Sequence, residues 1–149
     1  MLIRHLELAD LDELLALYVH LHDSDAPLPE RAVVEGVWRE LAANPGYRYY
    51  GVFVDGSLVS SCTLTIIPNL TRGCRPYGVI ENVVTHVARR RRGYAKAVLL
   101  EALEDAWAAN GYKVMLLTGR KDEATFRFYE SVGFDRNGKQ AFIAKPAPE

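Results

Sequence analysis

The chain has 149 residues, 49% of them hydrophobic, which is the length of one domain and enough apolar side chain to close a core without disulfide or metal staples. Disordered and mini-protein architectures are excluded. Lys and Arg number 18 against 19 Asp and Glu, a net charge of -1, so no global field draws the chain to nucleic acid or an anionic membrane, and any basic site must be local.

No apolar run approaches the roughly 20 residues of a bilayer span, and no secretion signal opens the chain, so a soluble, cytoplasmic protein is expected. Cys62 and Cys74 are too few for a disulfide framework, and no His or Cys stands at zinc-ligand spacing from them, so reduced thiols and no metal are expected. There is no repeat and no linker-like composition shift, which predicts a single domain over 1–149.

Met1 to His5 reads as a short strand. Asp10 with Glu13 three residues later forms a capping-box pattern before a helix with Leu11, Leu14, Leu15, Tyr18 and Leu21 at helical spacing, ending near 22–29. Pro29 opens a second helix with Val33, Val37, Trp38 and Leu41 on one side, stopped by Asn44-Pro45-Gly46. The period then changes: 49–54 and 58–67 are β-branched and aromatic, joined by the hairpin signal Asp55-Gly56. A loop with Pro68, Gly73 and Pro76 leads to a strand over 77–87. An amphipathic helix over 94–110 carries Ala95, Val98, Leu99, Ala102, Leu103 and Ala106, with Gly111 placed to cap it. A buried strand over 114–117, a helix over 122–132 closed by Gly133, and a hairpin at Asn137-Gly138 ending in 141–145 complete an α/β domain with a mixed sheet.

The chemistry is concentrated between the 77–87 strand and the 94–110 helix. Arg89-Arg90-Arg91-Arg92-Gly93-Tyr94-Ala95-Lys96 is a basic, glycine-containing turn running into a helix N-terminus, where free N–H groups and the positive end of the helix dipole suit a phosphate or pyrophosphate. A solvated basic loop is the competing reading. Neither the P-loop nor the dinucleotide-binding glycine pattern is present. Arg90-x-x-Gly93-x-Ala95 after a strand resembles the acyl-CoA pyrophosphate loop of the GCN5-related N-acetyltransferases (GNAT), and Phe128-Tyr129-Glu130-Ser131-Val132-Gly133-Phe134 resembles that family's second signature, a Tyr-centred helix end closed by Gly-Phe. The element order is similar along the whole chain.

The resemblance implies a mostly antiparallel central sheet of about six to seven strands flanked by about four helices. It implies acetyl-CoA as donor, with CoA as product, and an acceptor that is a small-molecule or peptide amine. Neither nucleic acid nor membrane is expected as a partner, and a homodimer is left open. Val83, Val84 and Thr85 stand where main-chain groups meet the pantetheine arm, and Arg90, Arg91, Arg92, Gly93, Tyr94, Ala95 and Lys96 stand at the pyrophosphate turn. Asp122 takes the place of an Asn that contacts the cofactor arm in many relatives; as a helix N-cap it has a purely structural reading.

Acetyl transfer to an amine needs a neutral nucleophile, a stabilised oxyanion and a proton for the thiolate. The resemblance makes Tyr129 the proton donor, in place of packing beside Phe126 and Phe128, and a backbone N–H near Val84 the oxyanion donor. Period-two alternation puts Glu81 with Val83 and Thr85, and Asn82 with Val84 and His86. Glu81 reads either as the group accepting the amine proton or as an ion-pair partner on the sheet; Asn82 either orients substrate or satisfies a strand end. His20, His22 and His86 are candidates on the acceptor side only. Neither cysteine has a His–acid pairing, which favours direct transfer in a ternary complex. An acyl-CoA-binding regulatory module with weak turnover is the alternative, and the four-arginine run as a nucleic-acid contact is a third reading, disfavoured by net charge.

Overall fold

The structure, a computed structural model, describes residues 1–148. Met1–Leu116 forms one compact unit and the chain from Leu117 onward a second. The first unit contains β1 (Leu2–His5), a 3-10 turn (Leu8–Asp10), α1 (Leu11–Tyr18), α2 (Arg31–Ala43), β2 (Tyr47–Val54), β3 (Ser57–Ile67), the single turn α3 (Thr71–Cys74), β4 (Tyr77–Thr85), a second 3-10 turn (Val87–Arg89), α4 (Tyr94–Ala108) and β5 (Val114–Leu116). The sheet runs β1-β2-β3-β4-β5, antiparallel except for the parallel β4–β5 pair.

Each sheet face is covered by helix. Leu11, Leu14 and Leu17 of α1 and Trp38 of α2 bury against Phe53, Leu58 and Val84. On the other face α4 buries Val98, Leu99, Ala102 and Ala106, and register places Tyr50, Cys62, Leu64 and Ile80 toward it. The Cys62 thiol lies 3.7 Å from the Val98 carbonyl, and the Tyr50 hydroxyl donates to the Asp105 carboxylate at 2.6 Å.

Several sequence expectations are corrected. The predicted sheet of six to seven strands with four helices has five strands and five helices among the described residues, α3 being one turn. The missing strand is 141–145: Phe142 is 89% and Ile143 70% exposed, and no ladder forms there. A lone hairpin with no covered face is marginal in water, and Pro146 and Pro148 remove two N–H donors just beyond it. The Asp10–Glu13 capping box does not form. Asp10 instead accepts the Glu7 N–H (2.6 Å) and a two-pronged contact from Arg4 (2.6 and 2.9 Å), while Glu13 accepts the Leu58 N–H (2.8 Å). On α2 the packed side is Val34, Trp38 and Leu41, with Val33 and Val37 about half exposed. At the end of α4 it is Asn110 that turns left-handed (φ 63°), and the N–H groups of Asn110 and Gly111 bond back to Trp107 and Ala106. Gly111 is required for closeness, since a Cβ there would stand 2.7 Å from the Ala106 carbonyl oxygen.

The second unit holds α5 (Glu123–Glu130). Arg136 clasps Glu123 (2.9 and 3.0 Å) and Glu130 (2.6 and 2.8 Å) and lies over the Phe126 ring, tying the chain after α5 back onto the helix.

Candidate active site

The basic turn is built by alternating backbone handedness. His86 accepts the Ala88 N–H on Nδ1 (3.2 Å) and the Arg89 N–H on its carbonyl (2.8 Å), closing the 3-10 turn. Arg91 (φ 61°) and Gly93 (φ 82°) are left-handed, and the first intrahelical bond of α4 runs from Ala97 N–H to Gly93 C=O (3.0 Å). No side chain caps this helix and no acid lies in its first turn, so the N–H groups of Tyr94, Ala95 and Lys96 point outward without intrahelical acceptors. A Cβ on Gly93 would meet nothing within 4 Å. Glycine is needed here for its backbone conformation, and the space its side chain would fill is open to a ligand. The turn fits a pyrophosphate.

Arg90 differs from its arginine neighbours. Its guanidinium reaches the Thr85 carbonyl (3.4 Å) and the His20 carbonyl (3.2 Å), pinning the turn to β4 and to the chain after α1. There the His20 and His86 rings meet, centroids 4.2 Å apart and planes tilted by 53°. Partial burial, then the His86 ring and Arg90, lower the His20 pKa. His22 is exposed and does not join this group.

β4 opens beside the turn. β5 pairs with Gly78, Val79 and Ile80, so from Glu81 to Thr85 the strand has no paired strand on that side among the described residues. A bulge sits in the same stretch: Ser61 faces Val84 and Thr63 faces Glu81, so Asn82 and Val83 together oppose Cys62, and Asn82 is left-handed (φ 52°). The His86 N–H bonds Val59 C=O (2.9 Å), and Val84 C=O accepts from Ser60 Oγ (2.9 Å), so the main chain of Val84 faces β3. Alternation then turns the main-chain groups of Val83 and Thr85 to the open side. The bulge also breaks the expected side-chain alternation. Glu81 and Val84 share the α1 face, whereas Ile80 and Thr85 share the α4 face, where Thr85 Oγ1 meets Ser60 Oγ at 2.8 Å.

Glu81 is exposed beside the bulge and makes no ion pair among the described residues. Thr63 Oγ1 donates to its main-chain carbonyl (3.0 Å). Burial pushes the Cys62 thiol up to about 12, so it stays protonated and is no nucleophile. Cys74 is exposed in α3, away from the turn in sequence.

In the second unit Asp122 caps α5, accepting the Thr125 N–H (2.9 Å), and this bond, foremost, lowers its pKa. Tyr129 is half-buried with its ring 5.1 Å from Phe128 and edge-on to Phe134 at 6.2 Å. Left-handed Gly133 (φ 109°) returns the Phe134 N–H to the Tyr129 carbonyl (3.2 Å).

Sequence reasoning missed the bulge, the Arg90 clasp and the His20–His86 ring contact. Strict alternation hides a bulge, and the only cue was a polar Glu-Asn pair inside an apolar strand.

An uncapped helix N-terminus, preceded by a basic run, thus follows the strand β4, whose parallel pairing with β5 covers only Gly78, Val79 and Ile80. Residues 10–134 match the model of the Acetyltransferase (GNAT) family, and the chain belongs to that family. A candidate acetyltransferase of Agrobacterium tumefaciens str. C58 is 45% identical, with a TM-score of 0.90 over 97% of this chain and 100% of that one. An acetyltransferase of Trypanosoma brucei superposes with a TM-score of 0.80 at 29% identity, over 97% of this chain and 99% of that one. The glucosamine 6-phosphate N-acetyltransferase of Trypanosoma brucei brucei is 36% identical over 85 residues, which are 57% of this chain and 56% of that enzyme. The match thus spans just over half the length of that curated relative.

Proposed function

We propose that the protein is an N-acetyltransferase that moves an acetyl group from acetyl-CoA, the donor used in this family, to a primary amine by direct attack in a ternary complex. The observation that carries the reading is the outward-facing N–H set of Tyr94, Ala95 and Lys96 under left-handed Gly93, next to the unpaired edge of β4. Acetyl-CoA supplies the activated thioester. The turn 91–96 holds its pyrophosphate by backbone N–H groups and the helix dipole, and Arg91, Arg92 and Lys96 add positive charge. Arg90 acts by holding the turn in shape. Main-chain groups of Val83 and Thr85 bind the arm along the edge, and an N–H there polarises the acyl carbonyl. Val84, facing β3, supports this edge from behind.

Glu81 takes the amine proton on its carboxylate, directly or through water, and the Tyr129 hydroxyl gives a proton to the departing sulfur. Both assignments rest on strand position and motif. With Cys62 held protonated, a cysteine acyl-enzyme has no support there. The acceptor class follows the relatives named for glucosamine 6-phosphate, so an amino sugar phosphate heads the test panel.

The test is thiol release from acetyl-CoA with glucosamine 6-phosphate, glucosamine, a polyamine and an N-terminal peptide as acceptors. Saturable release with one amine and N-acetylated product by mass is expected. CoA binding without turnover of any amine overturns the enzyme reading in favour of a binding module.

A further inference from the structure

The pyrophosphate turn is supported by a ring that can serve it only while uncharged. His86 follows β4 and is fixed to β3, donating its N–H to the Val59 carbonyl (2.9 Å). Its own carbonyl takes the Arg89 N–H (2.8 Å) and its ring Nδ1 takes the Ala88 N–H (3.2 Å), so both bonds that close the 3-10 turn end on this residue. A ring nitrogen that accepts an N–H carries no proton, and the neutral ring therefore bears its proton on Nε2. The imidazolium has N–H on both nitrogens and no acceptor. Charging the ring would set one donor against another.

The charges around the ring oppose a second positive group. The His20 ring lies 4.2 Å away between centroids, and the Arg90 guanidinium bonds the carbonyls of His20 (3.2 Å) and Thr85 (3.4 Å). Arg89 stands on the same turn, and β3 meets His86 through the Val59 carbonyl, which carries no charge. Asp23 and Asp25, the carboxylates nearest to His20 in sequence, pair with neither ring, the one histidine ion pair among the described residues being that of His5 with Asp105. Burial first, then the His86 ring and Arg90, hold His20 below the ordinary histidine value. Like charges at this spacing repel, and no carboxylate offsets them.

We propose that His86 is a positioning residue for the acetyl-CoA turn: its uncharged Nδ1 holds Ala88 in the shape that aims the following turn at the pyrophosphate, and protonation of the ring in mild acid releases that shape. This rests on the acetyl-CoA reading of the turn and deepens it, because it places a proton-controlled support behind the N–H groups that bind. The sign is opposite to that of a ring touching phosphate. A direct contact strengthens when the ring becomes charged, whereas a capping acceptor is lost. The cap is complete above about pH 7, where an ordinary histidine is neutral, and is lost as the ring charges in acid.

The test is calorimetry with CoA on the full chain at about pH 8 and about pH 5.5, on either side of ordinary histidine titration, for the wild type, His86→Asn and His86→Ala. The Asn side-chain oxygen takes an N–H two residues on, as Nδ1 does here, and does not titrate. At about pH 8, His86→Asn should bind within about twofold of the wild type and His86→Ala about 3- to 10-fold more weakly, the value of one cap. On moving to about pH 5.5, the wild type should lose about 3- to 10-fold more affinity than His86→Asn does. The phosphates of CoA titrate alike with both proteins, so the difference belongs to the ring. That comparison stands even where His86→Ala fails to fold. Equal pH responses in the wild type and His86→Asn, a smaller acid loss in the wild type, or a His86→Asn that binds no better than folded His86→Ala overturns the proposal. Absence of CoA binding by the wild type at about pH 8 overturns the acetyl-CoA reading, and this role falls with it. CoA binding without turnover overturns the enzyme reading alone and leaves this role in place.

Discussion

Substituting Gly93 separates what the basic turn demands of its backbone from what it offers a ligand. Its φ of 82° lies in the region that disfavours side chains, while the space for a Cβ is empty. Gly93→Asn and Gly93→Asp therefore share shape and strain and differ in one charge. Left-handed strain is at most about 1–2 kcal/mol for each, which in a domain of this size lowers Tm by about 2–8 °C and leaves both folded at 25 °C. If a pyrophosphate sits over the N–H groups of α4, the aspartate stands about 5 Å from its charge. In a solvent-facing site with effective dielectric of about 20–80, that repulsion is about 0.8–3 kcal/mol, about 4- to 150-fold in Kd. Calorimetry with CoA at low salt should show the Asp variant weaker than the Asn variant by this factor, with the gap shrinking as salt is raised. Equal affinities in two folded variants refute a phosphate at this turn.

Tyr129→Phe should lower kcat by about 10²–10⁴-fold with CoA affinity nearly unchanged, and equal rates would return the phenol to a packing role. Arg90→Ala, which frees the Thr85 and His20 carbonyls, should weaken CoA about two- to tenfold, whereas Arg89→Ala should not; matching losses would sink the clasp. Asp10 is held below the usual carboxylate range, first by Arg4, so its contribution is complete above the unfolded-state value near 4 and is lost as pH falls through the lower folded-state value. Asp10→Asn should therefore be less stable than the wild type by about 1–3 kcal/mol at pH 7, with the gap closing in acid; a gap independent of pH in denaturant titrations would contradict this.

Local chemistry was readable in the chain itself. Asp55-Gly56 marked the β2–β3 hairpin, period marked α1 and α4, and Arg90-x-x-Gly93-x-Ala95 marked the uncapped helix start, because each depends on residues within one or two turns. Family membership was legible for the same reason, carried by two short motifs in order. What depended on partners distant in sequence was not. Asp10 spent its carboxylate on Arg4 and Glu7 instead of capping with Glu13, α2 turned Val34 inward in place of Val33 and Val37, and 141–145 found no ladder. The bulge at Asn82 is the case that bears on function. One extra residue opposite Cys62 reverses the face of every side chain after it, and only the pairing of β4 with β3 decides that. It is the tertiary register that puts Glu81 on the α1 face and turns Val83 and Thr85 to the open edge, since strand pairing sets direction and sequence periodicity supplies only alternation.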